Sequence, residues 1–132
     1  MPLKHKKKIF WYTVAVLALL FTVACSLAKS LEYGSIYWDA FESGMGGDLV
    51  VHVVFSWVIA FCLMMAITPE KKSFSFQQFF HPFFCLLLVG FFTEELFQSF
   101  IPSRQFSWWD MAGSWLGALL GNVQAQVIRK YA

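Results

Sequence analysis

Asp48, His52, Glu95, Gln98, Arg104, Asp110 and Ser114 are the residues of this chain whose types and spacing can do chemistry. Asp48 and His52 are four apart and share a face if the stretch is helical. Glu95 and Gln98, three apart, share a face as well, while Glu94 points about 100° away from Glu95. Asp110 and Ser114 are again four apart. Carboxylates beside an imidazole can form an acid/base pair or ligate a divalent metal. Arg104 is the strong cation among these acids. It suits an ion pair with Glu95 or Asp110, or an anionic phosphate or sugar headgroup. No recognised catalytic motif accompanies them: there is no HExxH, no nucleophile elbow and no phosphatase signature. The sequence therefore leads us to expect neither a resident metal nor a cofactor.

The surroundings say where these groups work. The chain has 132 residues, 58% hydrophobic and 14% charged, with 16 Phe and 6 Trp. A soluble domain carries about 25% charged residues. A soluble core of this length has no room for so much apolar surface, so the composition indicates one integral-membrane unit over 1–132. The net charge of +2 comes with no nucleic-acid motif. Cys25, Cys62 and Cys85 lie in three different apolar runs without metal spacing. They read as small packing residues rather than a disulfide framework.

Hydropathy predicts an all-α chain with four transmembrane helices at about 9–27, 48–68, 79–100 and 108–128. The first run, Ile9 to Leu27, would extend about 29 Å as a helix, close to the hydrocarbon thickness. Trp11 and Tyr12 then sit at an interface. The 28–47 loop holds Glu32, Asp39 and Glu42 with Tyr33, Tyr37 and Trp38, and Gly44, Gly46 and Gly47 break it before the second span. Residues 69–78 read as a polar turn, and Pro82 is tolerated in the first turn of the third span. An alternative for the N-terminus is a lipoprotein signal ending at Ala24-Cys25-Ser26, although Thr22 stands where such signals carry an aliphatic residue. Either reading leaves the orientation of the later spans unchanged.

That orientation comes from the cations. Four spans put Lys4, Lys6, Lys7, Lys8, Lys71, Lys72, Arg129 and Lys130 on one side, against Lys29 and Arg104 on the other. The positive-inside rule places both termini on the cytoplasmic side of the membrane. The polar residues named above then share the outer end of the bundle. With Asp110 set at zero, Ser114 falls at about +40°, Gly117 at about −20°, Gly121 at about +20° and Gln124 at about −40° around an ideal helix. This predicts a stripe of small and polar residues. Gly113, Gly117 and Gly121 form a doubled Gly-x-x-x-Gly for close helix packing. The inner halves read as nearly bare of charge, which argues against a channel or pump, whose ionisable groups occur at several depths. A carboxylate at mid-membrane costs on the order of 2.5–3.5 kcal/mol, and less near the interface. Glu94, Asp48 and Asp110 therefore also fit a plain role as helix-end residues, the two aspartates at helix N-termini.

The spacing Glu95-x-x-Gln98-x-Phe100-x-Pro102-x-Arg104, followed by Asp110-x-x-x-Ser114-x-x-Gly117-x-x-x-Gly121, resembles the VanZ-like family of small bacterial membrane proteins. Upstream, Asp48-x-x-x-His52 is similar to the family's Asp-Lys-x-x-His start of a span, with Leu49 in place of the lysine. Ser114 stands where the family usually has asparagine. The resemblance covers residues 48–121. It implies an envelope location and a link to glycopeptide (teicoplanin) resistance. Its implied partners are membrane lipids, a lipid-linked envelope precursor or a lipidated antibiotic, met by the outer polar cluster. The alternative is an intramembrane enzyme acting on a lipid-linked substrate.

Overall fold

The computed structural model describes residues 3–30, 44, 48–69, 74–100 and 108–131, with side chains for all of these except 3–5, 28–30 and 48. The described elements are helices: α1 (Leu3–Ser30), α2 (Asp48–Ile67), a short α3 (Phe76–Phe79), α4 (Pro82–Gln98) and α5 (Trp108–Tyr131). The expected loop aromatics Tyr33, Tyr37 and Trp38, the turn lysines and Arg104 lie outside the described residues.

The stretches Lys6–Leu27 in α1 and Leu49–Ile67 in α2 are long and apolar enough to cross a membrane. Helix α4 has 17 residues, which is about 25 Å. Helix α5 has 24, but its inner face is polar. All four long helices leave large apolar side chains exposed, among them Leu17, Phe21, Val58, Leu86, Phe97, Leu120 and Val127.

The third apolar stretch begins differently from the expectation of a polar turn to 78 and a span from 79. Ser75 caps a single helical turn, its Oγ accepting from the Gln78 backbone N–H at 3.0 Å. The chain breaks at Phe80 and His81, and α4 starts at Pro82. Proline lacks the amide that a first turn leaves unbonded. His81 caps α4, with Nδ1 accepting from the Phe83 N–H at 3.1 Å.

Side-chain pairings set the helix directions. Trp11 meets Phe61 and Phe21 meets Phe55, so α1 and α2 are antiparallel. Leu49 lies against Gly113 and Trp57 against Gly121, so α2 and α5 run parallel. Trp115 Nε1 donates to the Leu88 carbonyl and Asn122 Nδ2 to that of Phe79, so α4 is antiparallel to α5. The four long helices thus alternate in direction along the chain. The core between them holds Ile59, Ala60, Met64, Phe84, Phe91, Ala118 and Ala125.

Helices α2 and α5 share the closest interface, and glycine makes it so. A Cβ on Gly121 would sit 2.6 Å from the Trp57 carbonyl oxygen and 2.8 Å from the Phe61 nitrogen. One on Gly113 would sit 2.7 Å from a Leu49 methyl, and one on Gly117 would overlap Ser56 Oγ and the Val53 carbonyl oxygen. Backbone-on-backbone contact of this kind locks two helices in rotation as well as distance.

Candidate functional site

The first turns of α2 and α5 lie side by side because the two helices are parallel and close. The last turns of α4 come to the same end because α4 runs the other way. His52, Asp110 with Ser114, and Glu95 are delivered by these three helices in turn. His52 Nε2 lies 3.6 Å from Asp110 Oδ2, and both side chains are 17% exposed. On the other side of the ring, Nδ1 is 3.3 Å from Ser114 Oγ. Glu95 is 4% exposed. One donor atom each from His52, Glu95 and Asp110 fall within 4.8 Å of one another.

The helix turn that carries His52 has a side-chain bond of its own. The Ser56 hydroxyl donates to the His52 carbonyl at 2.6 Å, one turn along α2. Ser56 in turn fills the notch beside Gly117. The glycine contact therefore adjoins the turn of α2 that carries His52.

Gln98 is buried. Its Nε2 donates to Glu94 Oε1 at 2.8 Å and to Ser26 Oγ at 3.2 Å, tying α4 to the last turns of α1. The two glutamates divide as their separation around the helix requires, with Glu95 toward His52 and Asp110 and Glu94 toward Gln98. The sequence places Gln98 and Glu95 on one face, and Gln98 bonds Glu94, four residues back, and Ser26. The side chain of Asp48, and Arg104 entirely, lie outside the described residues.

A second polar network occupies the opposite end, the end to which the cation count assigns Arg129. Asn122 and Gln126 are fully buried, and Arg129 is 6% exposed. Gln126 Nε2 donates to Asn122 Oδ1 at 2.9 Å, and its Oε1 accepts from the Ser75 N–H at 3.2 Å. Arg129 donates to the Met65 carbonyl through Nε at 3.1 Å and through Nη2. Gln78 Nε2 donates to the Ile67 carbonyl at 3.3 Å. Arg129 and Gln78 thus bind carbonyls that the end of α2 leaves without helical partners, while Asn122 and Gln126 tie α5 to Phe79 and Ser75. The Ser75-x-x-Gln78 spacing is a capping-box signal that would have marked this turn. Nothing in the spacing of Asn122, Gln126 and Arg129 alone points to α2.

Replacing Arg129 with alanine is expected to lower stability by about 1.5–3 kcal/mol, the usual worth of hydrogen bonds from a charged donor. Arg129→Lys should recover part of that, since an ammonium can reach one carbonyl but not with a planar fork. Unfolding in mixed micelles followed by far-UV circular dichroism measures both; equal stability of all three proteins would show that the cap is dispensable.

No protein-family model, curated protein or solved structure matches this chain. Its chemistry rests on the side chains themselves.

Proposed function

We propose that this chain is a four-span, VanZ-like protein of the bacterial cytoplasmic membrane, with both termini in the cytoplasm. Its outer-end polar site binds the headgroup of an envelope lipid, a lipid-linked precursor or a lipidated antibiotic. The observation that carries this reading is the meeting of His52, Glu95, Asp110 and Ser114 from three helices at one end of the bundle. The alternating helix directions support the four spans, and the count of cations supports the sidedness. Arg104, next to this site in sequence, is the proposed contact for an anionic headgroup. A link to glycopeptide resistance follows from the resemblance, through altered access of a lipidated antibiotic to the membrane.

Lipids that co-purify with the chain in native nanodiscs, identified by mass spectrometry, test the binding. A phosphate- or sugar-bearing lipid should be enriched on the wild type and fall at least about fivefold with Arg104→Ala. The same lipid profile in both proteins would overturn the reading. Growth in teicoplanin with and without the gene tests the resistance part separately, and equal sensitivity would remove it.

A second reading, an intramembrane enzyme on a lipid-linked substrate, draws on the same convergence. An imidazole with carboxylates within reach is suited to proton transfer. Turnover of a lipid-linked substrate by the purified chain, abolished in Glu95→Gln, would favour it over binding alone.

A further inference from the structure

We propose that His52, Glu95 and Asp110 form a binding site for one divalent transition-metal ion. The proposal adds a cation to the site described above and rests on that reading only for the site's location.

The donor set comes first. One nitrogen and two carboxylate oxygens, contributed by three different helices, fall within 4.8 Å of one another. Ligands at metal distances of about 2.0–2.2 Å in a tetrahedral site lie about 3.3–3.6 Å apart. His52 Nε2 and Asp110 Oδ2, at 3.6 Å, already have that separation. It is too long for an ordinary hydrogen bond.

The imidazole carries a second, independent mark. A metal-bound histidine nearly always donates its other ring N–H to a fixed acceptor, which selects the tautomer and aims the lone pair. Ser114 Oγ, 3.3 Å from Nδ1, is placed to accept that proton in the metal-binding tautomer. With the proton on Nδ1, the Nε2 lone pair points toward Asp110. Ser114 is itself buried on the glycine-packed face of α5, so the orientation is built into the helix interface.

The metal class follows from the donors. Imidazole favours zinc, copper, nickel or iron over magnesium and calcium, which prefer oxygen alone. Three protein ligands leave a coordination position open. An open position on a divalent ion takes an anionic oxygen, which a phosphate-bearing headgroup supplies. No thiol belongs to the set: Cys25, Cys62 and Cys85 lie in other parts of the helices.

The test uses the full chain purified in detergent, stripped with chelator and dialysed against Zn2+. We expect about one zinc per chain by elemental analysis, and magnesium in excess should not displace it. His52→Ala, Glu95→Gln and Asp110→Asn should each weaken zinc affinity at least about tenfold. Ser114→Ala should weaken it less, by about three- to tenfold, with the metal still bound. A triple Cys→Ser variant should bind as the wild type does. Zinc content below about 0.1 per chain in the wild type, or affinity unchanged in the three ligand variants, overturns the site. Because the ligand variants can lose their fold, Cu2+-loaded wild type supplies an independent reading. Its electron paramagnetic resonance spectrum should show coupling to one imidazole nitrogen, and a spectrum without nitrogen coupling overturns the assignment. Zinc binding is scored without lipid, so failure of the metal site and failure of headgroup binding are separate results.

Discussion

Gly117→Leu is expected to abolish the folded bundle. No space exists for even a methyl group at Gly117, because a Cβ there would overlap Ser56 Oγ and the Val53 carbonyl oxygen. One of those obstacles is backbone, which cannot rotate away. Helices α2 and α5 would have to separate along their whole length, and Gly113 and Gly121 on the same face would lose contact with α2 together. Overpacking a well-filled core by a few methylenes costs about 1–3 kcal/mol. A side chain driven into a helix backbone lies beyond that range, and on the proposed membrane reading no hydrophobic force holds the helices together once packing fails. Even Gly117→Ala should cost about 2 kcal/mol or more. Gly90, on α4, has nothing within 4 Å of its would-be Cβ. Gly90→Ala should therefore be neutral or stabilising by up to about 1 kcal/mol, from helix propensity alone. Unfolding titrations of the three variants by circular dichroism decide the matter. A folded Gly117→Leu protein with wild-type stability would rule out the glycine-mediated contact between α2 and α5.

His52→Ala should be the most damaging single change at the polar site, lowering stability by about 3 kcal/mol, the low end of the range for breaking a buried pair. Removing one partner of a largely buried charged or hydrogen-bonded pair leaves the other desolvated, at a cost of about 3–5 kcal/mol. His52 and Asp110 retain some exposure, which sets the expectation at that low end. Asp110→Asn should restore part of the loss in the double variant, because the orphaned carboxylate is gone. A double-mutant cycle should give a coupling of about 1–3 kcal/mol between the two positions. Ser114→Ala should cost less, about 1 kcal/mol, the net worth of one neutral hydrogen bond. If the effects of His52→Ala and Asp110→Asn simply add, the two side chains do not act as a unit.

These outcomes bear on how the site arises. The glycine contact and the polar cluster lie on one helix, and Ser56 touches both Gly117 and the His52 carbonyl. Packing and site geometry are therefore coupled, and a lesion at Gly117 should also disturb the imidazole.

Composition, apolar run length and the spacing of polar residues were enough to specify an all-helical chain and to bring His52, Glu95, Asp110 and Ser114 to one end of it. The reason is that helix length and alternating direction assign depth without any contact being known. Rotation about the helix axis is different, since only neighbouring helices set it. Around α5 the buried residues run from Gly113 through Asn122 to Gln126, an arc about 220° wide centred about 50° from Asp110. The sequence stripe is narrower and centred on Asp110, and its edge residue Gln124 lies exposed, accepting from Trp57 Nε1 at 2.7 Å. The arc is wide because α5 touches α2 on its glycine side and the α3–α4 segment on its Asn122 and Gln126 side. Tertiary structure alone decided that Glu95 meets His52 and Asp110, and that Arg129 closes the far end of α2. Each depends on which helix stands beside which, and two polar residues at the same depth carry no local signal of whether they meet.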